Sequence, residues 1–129
     1  MIRILKGDAV SKLDQMHCKR SGQSSYELME TAVQGFIHWF EEQKFTDQEI
    51  FIYVGSGNNG GDGLGIARHL QQRNYQVTVV LCFNDETDLS ADAKINFDRL
   101  PEGASKISFE DFDFPSKGTF IDAFLGVGL

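Results

Sequence analysis

Cysteine is scarce in this sequence: Cys18 and Cys82 are the only two. They form no CxxC pair and no metal-ligand grouping with His17, His38 or His69. That excludes a disulfide scaffold or a zinc ribbon, and the pair reads as reduced thiols of a cytoplasmic protein. No apolar run approaches the ~18 residues of a membrane span, and no signal-peptide pattern opens the chain, so neither membrane insertion nor secretion is expected. Basic residues are also short, 12 Lys and Arg against 19 Asp and Glu, for a formal charge of −7. Nonspecific nucleic-acid binding, which needs clustered cations, is therefore not expected. Internal repeats, low-complexity tracts and linkers are absent, and 129 residues predict one domain.

Phenylalanine, by contrast, is abundant, with 11 residues. These rings either fill the core or cover a surface that meets another part of the protein, and the core is the expected use. Acidic residues cluster at Asp85–Asp92 and Glu110–Asp113, read as solvated surface.

Everything else is arranged around Ile50–Leu70. Ile50, Phe51, Ile52, Tyr53 and Val54 have strand character and run into Gly55-Ser56-Gly57-Asn58-Asn59-Gly60-Gly61-Asp62-Gly63. A helix follows through Leu64, Ile66, Ala67 and Leu70. Strand, glycine turn and helix N-terminus in succession form the usual local device for holding a phosphate or pyrophosphate. Gly55 to Gly60 satisfies GxGxxG in the right context, whereas no Gly-Lys-Ser/Thr follows, which excludes a Walker P-loop. Asp85 or Glu86 falls near the place of a ribose-binding carboxylate. Asn58, Asn59 and Asp62 serve either turn chemistry or a ligand or cation.

Before this stretch, Ile2–Leu5 lies over the core or pairs at a sheet edge, and a helix is expected from about Val10 to Cys18. Ser24 or Ser25 caps a second helix, whose Leu28, Met29, Ala32, Val33, Phe36, Ile37 and Phe40 form one apolar stripe. His38 and Trp39 fall off that stripe. After the glycine turn, Gln76–Phe83, with its nearly continuous apolar run Val77–Leu81, reads as a buried parallel strand that includes Cys82 as a small buried hydrophobe and completes a βαβ unit. A helix from about Ser90 to Leu100 should pack through Ala93, Ile95, Phe97 and Leu100. Ala104–Phe109 is a short strand, Glu110–Pro115 a loop or helical turn, and Thr119–Leu125 a third buried strand. Asp122 stands inside that apolar strand, where a carboxylate must be paired, hydrogen-bonded or bound to a cation. It is either a structural carboxylate or a site residue; the second is favoured, because open α/β sheets place ligands at their carboxyl ends.

With these residues in view, GSGNNGGDGLGIARHL resembles the signature of the YjeF N-terminal domain, the NAD(P)HX epimerase family. Leu28-Met29-Glu30-Thr31-Ala32 is similar to the family's LMEnA segment, with Thr31 where Asn is common. Asp92-Ala93 with Asn96 resembles its DAxxN segment, and Ile121–Leu129 its strand-to-GtGL segment. The resemblance implies a Rossmann-like three-layer αβα fold with a mainly parallel sheet, preceded by N-terminal helices. Residues 1–129 would form the N-terminal portion of that domain, its C-terminal strands missing.

The same resemblance implies an isomerase of cofactor repair that interconverts the R and S forms of hydrated NADH or NADPH. A partner ADP- or ATP-dependent dehydratase, fused in some members, would return the S form to NAD(P)H. Asn58, Asn59, Gly60, Gly61 and Asp62 would contact the substrate, and Gly126, Val127, Gly128 and Leu129 would begin a second phosphate loop. Asn59 and Asp122 would contribute to a potassium site. The acid/base carboxylate of the family is expected beyond Leu129, so the 129-residue stretch alone is expected to be inactive or severely impaired. A homodimer is expected from the phenylalanine excess and an apolar edge. The alternatives are a non-catalytic Rossmann-like nucleotide-binding or scaffold module and an ordinary NAD-dependent dehydrogenase. Two helices ahead of the first strand weaken the latter.

Overall fold

The structure, a computed structural model, describes residues 2–6, 22–46 and 49–124. Its framework is a five-stranded sheet: β1 (Ile2–Lys6), β2 (Glu49–Val54), β3 (Gln76–Leu81), β4 (Ser105–Ser108) and β5 (Gly118–Ala123), in the order β1-β5-β2-β3-β4. Every neighbouring pair is parallel. The helices are α1 (Ser25–Gln43), α2 (Asn58–Gln72) and α3 (Ala91–Asp98), and the whole is a Rossmann-like α/β fold.

Ile2–Leu5 proves to be an edge strand, paired along β5 from Ile2 opposite Gly118 to Lys6 opposite Asp122. A strand therefore precedes the helices, and the expectation of two helices before the first strand is corrected. The helix expected over Val10–Cys18 lies outside the described residues.

Local chemistry sets the element ends. Ser24 caps α1, its side chain accepting from Glu27 N at 3.1 Å. Lys44 closes that helix in the left-handed region at φ 52°, and Asn74 does the same after α2 at φ 68°. The apolar stripe of α1 is as expected: Leu28, Met29, Val33, Phe36, Ile37 and Phe40 are buried, and His38 and Trp39 are exposed.

The core lies between the helices and one face of the sheet. Ile50, Ile52 and Val54 of β2, Val77 and Val79 of β3, and Ile121 and Ala123 of β5 meet Leu64, Ala67 and Leu70 of α2. The alternate residues turn to the other face, as the strand period requires. There Phe51, Tyr53 and Phe120 meet Phe109, Phe112 and Phe114, which come from the segment between β4 and β5. The phenylalanines thus divide: Phe36 and Phe40 belong to the core, Phe120 is buried on the opposite face, and Phe109, Phe114 and Phe124 are exposed. Ile95 is exposed as well, contrary to its expected packing role. Its place on α3 goes to Asn96, which is fully buried.

From β2 the chain builds outward through β3 to β4, then returns to place β5 on the opposite side of β2. Strand order therefore reverses between β2 and β5, the point at which open α/β sheets form a crevice at the strands' carboxyl ends. Gly55 leaves β2 there, its N–H donating to Ala123 O at 3.1 Å.

Candidate functional site

The turn between β2 and α2 is built by close packing. A Cβ on Gly60 would stand 1.8 Å from Gly55 O, and one on Gly63 would stand 2.6 Å from the Ala123 Cβ. Side chains there are excluded by the protein's own backbone and strands. Gly57 differs: it is the N-cap of α2, and nothing lies within 4 Å of where its Cβ would be.

Gly57 provides no side-chain cap, and Gly61 N, donating to Gly57 O at 3.0 Å, makes the first hydrogen bond of the helix. The amides of Asn58 and Gly60 precede that bond, ahead of the intrahelical ladder. They present the positive end of α2 at the crevice.

The expected site residues occupy different environments. Asn58 is exposed at the first position of α2, with its Oδ1 2.7 Å from the Ser90 hydroxyl. Asn59 and Asp62 are each 4% exposed and make contacts within the protein. Gly60 and Gly61 are buried beneath the turn. Gly126, Val127, Gly128 and Leu129 lie outside the described residues. Asp85, a candidate ribose carboxylate, instead caps a short 3-10 turn over Glu86–Asp88. It accepts from Thr87 N at 2.9 Å, which holds its carboxyl below the usual range. Glu86, the other candidate, pairs with Lys94 at 3.3 Å.

Asp122 is half-buried, beside Tyr53 in the sheet register, and one carboxylate oxygen accepts from Phe124 N at 3.0 Å. It lines a cavity of about 590 Å³ at the carboxyl ends of β2, β3 and β5. The walls include Tyr53, Phe83, Phe109 and Phe124, with Asn84 and Glu110 as polar groups. Cys82 stands in the same wall, half-buried just past the end of β3 rather than within it. Burial pushes its thiol pKa up, and the Asp122 charge adds to that. The Tyr53 hydroxyl is likewise raised, first by burial and then by the charges at Cys82 and Asp122. Phe124 joins the cavity to the turn, because its backbone oxygen lies against Gly55.

A second set of polar side chains supports the turn from behind. Asn96 of α3 donates through Nδ2 to Gly61 O at 2.9 Å, and its Oδ1 accepts from the Tyr26 hydroxyl at 3.0 Å and from Arg68 Nη2 at 3.4 Å. Arg68, 5% exposed, also donates to Glu30 Oε2 at 2.7 Å, and His69 Nε2 meets Glu30 Oε1 at 2.5 Å. A carboxylate only accepts, so Nε2 carries the proton, leaving Nδ1 to accept from Arg73 Nη1 at 3.4 Å. Burial pushes the Glu30 pKa up, but the His69 hydrogen bond and the Arg68 charge outweigh it, and the carboxyl is held below its ordinary value.

Sequence reasoning reached Glu30 and Asn96 only through the resemblance and did not foresee this network. The signal that could have found it is the poor apolar periodicity of Ala91–Asp98, where Ile95 falls off the packed face and Asn96 on it. The aromatic cavity wall was also missed, because Phe109 and Tyr53 are far apart in sequence.

By donor type, Asn59 and Asp122 suit a hard, weakly held cation. Among the described residues, no group of three or more His, Cys, Asp or Glu side chains could hold a metal ion. No described helix is long and apolar enough to cross a membrane.

Comparison with known proteins gives a consistent result. Residues 25–129 match the family described as YjeF-related protein N-terminus. An NAD(P)H-hydrate epimerase from Lentilactobacillus buchneri is 32% identical over 123 residues, covering 92% of this chain and 55% of that protein. One from Nitrosopumilus maritimus is 40% identical over 86 residues, covering 64% and 40% respectively. A bifunctional NAD(P)H-hydrate repair enzyme from Salinibacter ruber is 35% identical over 99 residues, covering 75% of this chain and 18% of that protein. Among solved structures, that of the yeast protein YNL200c matches with a TM-score of 0.65 at 24% identity, over 96% of this chain and 57% of the other. The chain spans about half the length of the single-function relatives it matches.

Proposed function

Because this chain belongs to the family of the YjeF-related protein N-terminus, we propose that it forms the dinucleotide-holding part of an NAD(P)H-hydrate epimerase. Its substrate would be hydrated NADH or NADPH, and its reaction the interconversion of the R and S forms. One observation carries this reading. The glycine turn, with its uncapped helix N-terminus, stands where strand order reverses, and Phe124 links it to an aromatic-walled cavity.

On this reading the amides at the start of α2, those of Asn58 and Gly60, meet the pyrophosphate, and the Asn58 side chain adds a donor. The buried Gly60, Gly61, Asn59 and Asp62 hold the turn in shape, and Gly126–Leu129 begin a second phosphate-binding loop. The cavity takes the puckered, hydrated nicotinamide ring against Tyr53, Phe83 and Phe109. Inversion at C6 of the nicotinamide ring requires a proton donor and acceptor within hydrogen-bond reach. The acid/base carboxylate is assigned to a segment beyond Leu129. Asn59 and Asp122 would hold a potassium ion, whose contribution is charge stabilisation and positioning.

Relatives named bifunctional NAD(P)H-hydrate repair enzymes support functional coupling to a second repair activity, for which the reading assigns an ADP- or ATP-dependent dehydratase. A cytoplasmic location and a homodimer belong to the same proposal. The test uses the protein that carries this chain, incubated with an R/S mixture of NADHX and a dehydratase specific for the S form. Recovery of NADH from the R fraction should outpace its spontaneous epimerisation in buffer. Recovery at the spontaneous rate rejects the activity and leaves the alternative of a non-catalytic nucleotide-binding module.

A further inference from the structure

Ser90 makes contacts beyond those of a helix cap. At the N-cap of α3, its Oγ accepts from Ala93 N at 3.3 Å. Its backbone N–H donates to Ser56 O at 2.8 Å, inside the glycine turn. Its hydroxyl lies 2.7 Å from Asn58 Oδ1. One residue therefore fastens the segment after β3 to the turn after β2 at two points.

In the third contact the hydroxyl donates, with the Asn58 carbonyl oxygen accepting at 2.7 Å. Oγ thus accepts the cap bond and donates to Asn58 at once, within the one donor and two lone pairs of a serine hydroxyl. An amide side chain has one oxygen and one NH2 on opposite sides of a planar group. Once Oδ1 is held toward Ser90, Nδ2 faces the other way, and Asn58 is exposed. What Asn58 offers an incoming ligand is a pair of N–H donors. Such a group suits an anion and repels a cation.

We infer that Ser90 is a positioning residue for the glycine turn: its hydroxyl orients the Asn58 amide so that Nδ2 donates to a phosphate of the bound dinucleotide. The phosphate in this statement rests on the reading given under Proposed function. The orientation of Asn58 rests on the hydrogen bonds alone.

Two substitutions separate positioning from capping. Glycine is nearly as good an N-cap as serine, so Ser90→Gly keeps the start of α3 while removing the hydroxyl. Ser90→Thr keeps both. In the ligand-free, 15N-labelled protein, the Asn58 side-chain NH2 should give one dispersed pair of resonances in wild type and in Ser90→Thr. In Ser90→Gly the pair should move to random-coil positions. The Kd for NADHX, measured by calorimetry, should rise about tenfold in Ser90→Gly, the loss expected of one hydrogen bond to a charged group. Ser90→Thr should restore it to within about twofold of wild type. An unmoved Asn58 pair in Ser90→Gly overturns the inference. So does an unchanged Kd in that variant when wild type binds. Failure of wild type to bind NADHX rejects the dinucleotide reading and the phosphate half of the inference; the Asn58 resonances then decide whether Ser90 orients the amide.

Discussion

A methyl group on Gly60 would lie 1.8 Å from the carbonyl oxygen of Gly55. No rotamer relieves that overlap, because both partners are backbone. Gly60→Ala must therefore displace the turn or the start of α2, at a cost of about 3 kcal/mol or more. Gly57→Ala meets open space in extended backbone and loses only the cap preference, about 1 kcal/mol or less. Urea unfolding of the two variants should separate them clearly. Gly57→Ala should keep the fold yet weaken dinucleotide binding, because it adds a methyl in open space at the N-cap of α2, beside the amides proposed to meet the phosphate.

Asn96 is fully buried and holds Gly61 O, Tyr26 and Arg68 together. Asn96→Leu keeps the approximate volume but removes every one of those hydrogen bonds. A loss of about 2–4 kcal/mol is expected, the range for breaking a buried polar network without replacing it. Chemical denaturation measures it. Amide exchange of the first turn of α2 should accelerate in the same variant, because Gly61 belongs to that turn.

The Glu30 carboxyl is held below its ordinary value, so the folded state releases its proton at a lower pH than the unfolded state. Its contribution to stability is fully present above the unfolded pKa and is lost as pH falls through the folded one. The difference in unfolding free energy between wild type and Glu30→Gln should accordingly be constant near neutrality and shrink below about pH 4. Thermal unfolding measured from neutral to acidic pH checks the slope. Glu30→Ala, which leaves Arg68 buried without its carboxylate, should cost about 3 kcal/mol at neutral pH.

The parts of the fold carried by local patterns were legible in the sequence. The stripe from Leu28 to Phe40, the β-branched run at Val77–Leu81 and the glycine turn each announce their element through spacing alone. The position of β5 between β1 and β2 was not legible, because strand order is a property of long-range pairing. The spacing of the glycines marks the turn but not what each one clears: Gly60 and Gly63 make room for Gly55 and Ala123. Asn96 and Ser90 lay hidden for a related reason. A polar residue on a short helix looks solvated until its partners, 35 and 32 residues away, are folded against it. The division of the phenylalanines was beyond composition for the same reason: Phe120 in β5 is buried by the ring of Phe114 stacked on it, and Phe114 is left exposed on the outside.

Residence of a hydrated nicotinamide dinucleotide at the glycine turn is tested most directly by titrating the 15N-labelled protein with NADHX and following its backbone amides. Saturable shifts should appear first at Ser56–Gly60, together with residues of the cavity wall such as Phe83 and Phe124. Saturation with no movement at Ser56–Gly60, or shifts confined to other surfaces, would contradict it.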